Sequence, residues 1–200
     1  LEGKIFQTQE SVIENMNTMF FADGTGNGGK DWNGLNNVVS TTAIGGIDSA
    51  DAGYSFWQPT QTDEGGVLTL ASMATMYNTI SVGNDQPTII ISRRQGYEAY
   101  EALLVDQIRY TDTDMADGGF QNLLFKGAPI TFDDSCPANE MYFLNTKYLQ
   151  LVAHSDVWFK PTPFVRPTNQ DAVFSQLLCY GQLTVSNRAR QGRLHGITNG

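Results

Sequence analysis

The sequence predicts an α+β fold in which helices and strands mix without regular alternation. Three observations carry that expectation. Apolar residues recur at three- and four-residue steps in Ile5–Phe21, Leu68–Ile80 and Tyr97–Ile108. Short β-branched or aromatic runs, such as TIII (Thr88–Ile91) and MYFLN (Met141–Asn145), fall between or after them. No strand–helix–strand unit repeats along the chain. At 200 residues the chain can bury a true core, as one domain or two interleaved lobes.

Taken in order, Val12, Ile13, Met16, Met19 and Phe20 make the first segment an amphipathic helix, with Ser11 and Glu14 as a capping-box pair inside it. The chain opens on Leu1, without Met and already close to this pattern, so it reads as a fragment or a processed product. Glycines punctuate the chain to Leu35. NVVSTTAI (Asn37–Ile44) and YSFWQ (Tyr54–Gln58) then read as strands. Leu68–Ile80 places Leu70, Met73, Ala74 and Tyr77 on one helical face, and VGNDQP ends it. TIII suits a strand buried on both faces. Ser92 and Gln95 form a capping box for a helix whose inward stripe is Tyr97, Tyr100, Leu104 and Ile108. NLLF, Lys126-Gly127 and APITF read as a hairpin, and MYFLN as a further strand. Ala172–Val185 is long for one strand, with Gly181 at a bulge or bend.

The formal net charge is −9, with a pI near 4.5. A protein that neutralises phosphate would have to gather its 12 basic residues on one face, and only Arg188, Arg190 and Arg193 cluster. In so acidic a chain, that alternation better suits ion pairs between subunits. Cys136 and Cys179 are too few for a disulfide framework and have no zinc spacing, so they read as thiols in a reducing compartment. No apolar run approaches the ~20 residues needed to cross a bilayer.

The motifs that could carry chemistry each fall short. Gly24, Gly29 and Lys30 have the spacing of a phosphate loop, which needs an entering strand, a departing helix and a hydroxyl after the lysine. Here a helix enters, Asp31 replaces the hydroxyl, and Asp23 and Asp31 would repel a polyphosphate. The acidic run Asp112–Gly119 lacks the calcium-loop ligands, because Ala116 and Leu123 occupy the fifth and twelfth positions. Asp133 and Asp134 beside Cys136 fit a polar loop between strands. His154 and His195 have no partner at metal-ligand spacing, and Cys179 lies in an apolar run. Two aromatic groups outside helices, Tyr54, Phe56, Trp57 and Trp158, Phe159, Phe164, suit either a partner surface or packing under loops. No catalytic, cofactor or metal residue is assigned.

Several stretches together resemble the major capsid protein of tailed double-stranded-DNA bacteriophages, whose Hong Kong 97-like shell fold is shared with encapsulins. They are Gly24-Thr25-Gly26 with Gly34-Leu35, then VVSTTAIGGID, PTIIISRRQGYEAYEALL, GFQNLLFKGAPITFDDSCPANEMYFLNTKYLQL and GQLTVSNRARQGRLHGI. Their order along the chain, rather than any one motif, carries the resemblance. It implies a peripheral lobe of spine helix and long strands (residues 1–65 and 151–200), and an inserted axial lobe (residues 66–150). The family's N-terminal arm and extended loop, which precede the spine helix, have no counterpart here.

The resemblance further implies a structural protein without enzymatic activity or cofactor, assembling with copies of itself in hexamers and pentamers. The implied shell encloses double-stranded DNA without sequence-specific binding and takes scaffolding, portal and decoration proteins as partners, with no membrane. Its place would be the virion, after assembly in the bacterial host cytoplasm. Two alternatives stand beside it: an encapsulin-like compartment, and a nucleotide-binding enzyme using the loop 24–30.

Overall fold

The computed structural model describes residues 2–108 and 123–198. The elements run α1 (Glu2–Phe21), α2 (Gly26–Gly29), α3 (Leu35–Val38), a 3-10 turn (Ala52–Trp57), β1 (Thr60–Asp63), α4 (Leu70–Ile80), β2 (Ile89–Ser92) and α5 (Arg94–Ile108). They continue with β3 (Leu124–Phe125), β4 (Ala128–Phe132), β5 (Met141–Leu144), β6 (Leu149–Ala153), β7 (Lys160–Pro161), β8 (Leu177–Leu178), β9 (Gly181–Val185) and β10 (Gly192–His195). The mixed α+β expectation holds.

A six-stranded sheet, in the order β1-β10-β5-β2-β4-β3, organises the core. β2 is parallel to β4 and antiparallel to β5, while β10 is antiparallel to β5 and parallel to β1. Successive side chains leave a strand on opposite faces, so one run can feed two cores. Ile90, Met141, Phe143 and Leu194 pack with Met73, Met76, Tyr77 and Ile80 of α4 and Tyr100 of α5. Tyr142 and Leu144 pack on the other side with Phe21, Leu35, Val38, Val39 and Leu183, and Ile89 and Ile91 join them there. TIII is therefore covered on both faces, as its unbroken apolar spelling requires.

Local chemistry explains the well-formed ends. The Thr69 hydroxyl accepts from the Ser72 N–H at 3.1 Å and opens α4. The β3–β4 hairpin turns on Lys126 (φ 48°) and Gly127 (φ 89°), two consecutive left-handed residues that match the twist of the flanking strands.

Four expectations are corrected. Asn37–Ile44 and Tyr54–Gln58 are not strands: the first begins in α3 and the second lies in the 3-10 turn. Ser92 is the last residue of β2, and the Arg93 carbonyl, not a Ser92 side chain, accepts from Gly96 and Tyr97 at the start of α5. Ser11 and Glu14 lie in mid-helix, where backbone N–H groups already have partners four residues back. The reading of Ala172–Val185 as too long for one strand holds: it divides into β8 and β9, and Gly181 opens β9 under the ring of Trp158. The Tyr97, Tyr100 and Leu104 stripe packs inward as expected. The side chain of Ile108 and the acidic run Asp112–Gly119 lie outside the described residues.

Candidate assembly surfaces

The glycine loop has the wrong surroundings for a phosphate. α1 enters it, and α2 is a single turn with Asn27 and Gly28 in left-handed conformation. The Asp31 carboxylate lies directly against Gly26, where an anion would have to approach. Asp23 accepts from the backbone N–H and the hydroxyl of Thr25, which holds its carboxyl below the usual range. A negative charge on each side of the loop leaves its glycines to serve the chain's turn toward α3.

The remaining sequence candidates are tied into the fold. Asp133 accepts from the Ser135 N–H at 2.8 Å and from Asn17 at 3.0 Å, so it fastens a turn to α1. Asp134 lies 3.9 Å from Arg94 at the surface. His195 lies 3.7 Å from Asp63, while His154 is exposed and accepts from the Asp156 N–H at 3.2 Å. Among the described residues no group of His, Cys, Asp and Glu could hold a metal ion, and no helix is long and apolar enough to cross a membrane.

The arginines face inward instead of waiting for a neighbouring subunit. Arg188 is fully buried and donates to the carbonyls of Val38, Thr42, Asn37 and Ser40. Arg193 reaches Asn36 at 2.6 Å, Gln61 at 2.8 Å and Glu140 at 3.4 Å. The Arg190 guanidinium points to the Ile80 carbonyl at 3.4 Å. Sequence reasoning found the cluster but missed its role, because acceptors about 150 positions away leave no local signal.

The two cysteines differ in environment. Burial, reinforced by Glu140 and Asp133, pushes the Cys136 thiol up to about 12, whereas Cys179 is only partly covered, with its sulfur 4.0 Å from that of Met16. A thiol with so high a pKa carries almost no thiolate at pH 8. Titration with a thiol reagent at that pH should therefore consume one cysteine rapidly in the folded chain and two in denaturant. Rapid labelling of Cys136 in the folded protein contradicts this burial.

Several large apolar side chains remain exposed. Lys160–Leu178 forms a hairpin arm, carried past β7 and β8 by the Val165–Phe174 bridge and by Arg166 and Asp171, 3.6 Å apart. Phe164, Val165, Val173 and Phe174 are about half exposed along it. A two-stranded ribbon is marginal by itself, and this one leaves its best hydrophobic area in water. Between the arm and the start of α1 runs a groove of about 440 Å³, lined by Ile5, Thr8, Phe159, Phe164, Val173 and Leu177. A second apolar projection, Tyr54 and Phe56, stands on the 3-10 turn, with Phe56 71% exposed. Trp158, of the other aromatic group, turns inward and stacks on Trp32 with ring centroids 6.1 Å apart.

No protein-family model matches the sequence, and no curated protein is similar to it. Solved structures are. The fold aligns with a chain of the cyanophage A-1(L) capsid asymmetric unit at a TM-score of 0.73 and 18% identity, over 98% of this chain and 69% of that one. The chain has the phage-capsid shell fold. A Synechococcus elongatus SrpI encapsulin shares that fold at a TM-score of 0.64 and 14% identity, over 96% of this chain and 64% of the other. The satellite phage P4 procapsid, which includes the size determination protein Sid, matches at 0.54 and 13%, over 98% and 64%. The chain thus spans about two thirds of each of these three chains.

Proposed function

We propose that this chain is the shell-forming part of a major capsid protein, which assembles with copies of itself in hexamers and pentamers into an icosahedral shell around phage double-stranded DNA. The observation that carries the reading is the alignment of nearly the whole chain, 98%, with a cyanophage capsid subunit. A shell subunit needs broad repeated contacts and no nucleophile, which agrees with the exposed apolar arm and with polar groups that serve the fold. The protein would then reside in the virion, after assembly in the host cytoplasm, with scaffolding, portal and decoration proteins as its other partners.

In this reading residues 1–65 and 151–200 form the peripheral lobe and residues 66–150 the axial lobe. The helices divide accordingly between the two hydrophobic clusters, α1 and α3 in one and α4 and α5 in the other, while Tyr142 and Leu144 join the first and Leu194 and Ile197 the second across the central sheet. The central sheet is the seam, since β1 and β10 extend it from outside residues 66–150. Acidity also fits. A net charge of −9 offers DNA phosphates little to hold, so packing is not retarded by a sticky wall.

The complete chain should form large icosahedral particles by size-exclusion chromatography with light scattering, while residues 1–200 alone stay monomeric or form small rings. A complete chain that stays monomeric in every condition overturns the proposal. The encapsulin likeness supports a second reading, a protein compartment; nuclease-protected DNA inside the particles selects the capsid, and protein cargo selects the compartment.

A further inference from the structure

We propose that the groove between α1 and the Lys160–Leu178 arm receives the Tyr54–Phe56 turn of a second copy of this chain. The inference rests on the shell reading and adds to it a specific contact.

Each half has an unsatisfied apolar surface. The Tyr54 and Phe56 rings meet edge to face at 6.4 Å on a short 3-10 turn, which holds them as one rigid projection. The groove, at about 440 Å³, is within the size range of pockets that enclose apolar groups. Its far wall is largely apolar, from Phe159, Pro161, Phe164, Val173 and Leu177, while α1 contributes Ile5 among Lys4, Thr8 and Gln9.

Charge selects the occupant. Among the described residues Lys4 is the one charged side chain lining the groove, and Lys160 stands exposed between the lining residues Phe159 and Pro161. Arg166 and Asp171 lie within ion-pair distance at the arm's tip, so they largely offset each other. The projection has an acidic flank: exposed Asp51 directly precedes the turn, and of the arginines in the Arg188–Arg190 segment that packs against it, Arg188 is buried and Arg190 turns to the Ile80 carbonyl. Apolar knob into apolar groove, acidic flank against basic rim, gives steering and register together. Because knob and groove are different patches, the contact is heterologous, the kind that propagates head to tail and closes into rings when the rotation allows.

The test uses the complete chain carrying Cys179→Ser to silence background thiol exchange. Ser55→Cys and Gln176→Cys are prepared separately, mixed and oxidised; both positions are exposed, and Phe56 stays in place. Cross-linked dimer should exceed that of either preparation alone by roughly tenfold, since docking raises the effective thiol concentration. Independently, Lys4→Glu with Lys160→Glu should raise the concentration at which particles form by roughly tenfold, and adding Asp51→Lys should bring it back. An unchanged melting temperature verifies that these exposed substitutions leave the fold intact. If wild-type particles form but the cross-link is absent and charge reversal has no effect, the groove contact is wrong and the shell reading stands. If the wild-type chain never forms particles, the shell reading falls, and this inference with it.

Discussion

Replacing Gly34 by alanine should lower the melting temperature by roughly 6–12 °C, the equivalent of about 3 kcal/mol in a chain of this length. A Cβ at this position would lie within 3.0 Å of the carbonyl oxygens of Met19, Phe20 and Ala22. These are backbone atoms at the end of α1, so no rotamer change relieves the overlap; the helix end and α3 must separate. That gap opens between Phe21 on one side and Leu35 and Val38 on the other, inside the cluster beneath Tyr142. The effect is steric rather than conformational, since Gly34 has φ −82° and ψ −173°, which any residue adopts. Gly53→Ala is the control: nothing lies within 4 Å of its added methyl, and its stability should change by less than about 0.5 kcal/mol, or about 2 °C in melting temperature. Equal shifts for the two variants would disprove the close approach of α1 to α3.

Gly34 also illustrates which parts of this molecule could be read before folding. The GL pair was visible as part of a resemblance, but the three oxygens that exclude a side chain come from residues brought back by the glycine loop. Where one element decides its own burial, spelling sufficed: α4 carries its stripe, β2 its two-sided apolar run, and the β3–β4 turn its Lys-Gly pair. Where a distant residue decides, spelling misled. Val38 and Val39 have strand-like propensity, yet α3 curls there because Arg188 collects the carbonyls around it, and tertiary bonds outweigh a propensity of a few tenths of a kcal/mol per residue. The aromatic groups were legible as groups and not as fates. Trp158 stacks beneath the arm while Phe56 points to solvent, and nothing within either segment distinguishes the two. An assembly surface is what remains after the core is packed, so the candidate surfaces were the least legible feature of all.

Arg188 gives the second large prediction. Its Nε donates to the Val38 carbonyl at 2.8 Å, one terminal nitrogen to Thr42 at 2.9 Å, and the other to Asn37 at 3.0 Å and to Ser40. The last carbonyls of a helix have no partner within it, and here a planar fork from about 150 residues away supplies one for each of four groups around α3. Burial lowers the guanidinium pKa but leaves it charged at any working pH. Arg188→Met keeps much of the volume but takes the side-chain donor from the buried Val38 carbonyl, while Asn37 still accepts from Ser40, so urea unfolding should show a loss of roughly 2–4 kcal/mol. Arg188→Lys should recover only part of this, because one ammonium cannot reach carbonyls spread across the fork. Arg166→Met removes an exposed arginine near Asp171 and should cost less than about 1 kcal/mol. A methionine at 188 that unfolds at the wild-type urea concentration would mean that the carbonyls are solvated and that α3 is held by its apolar residues alone. The expected loss would make one arginine the tie between α3 with the turn that follows it and the segment that leads into β10.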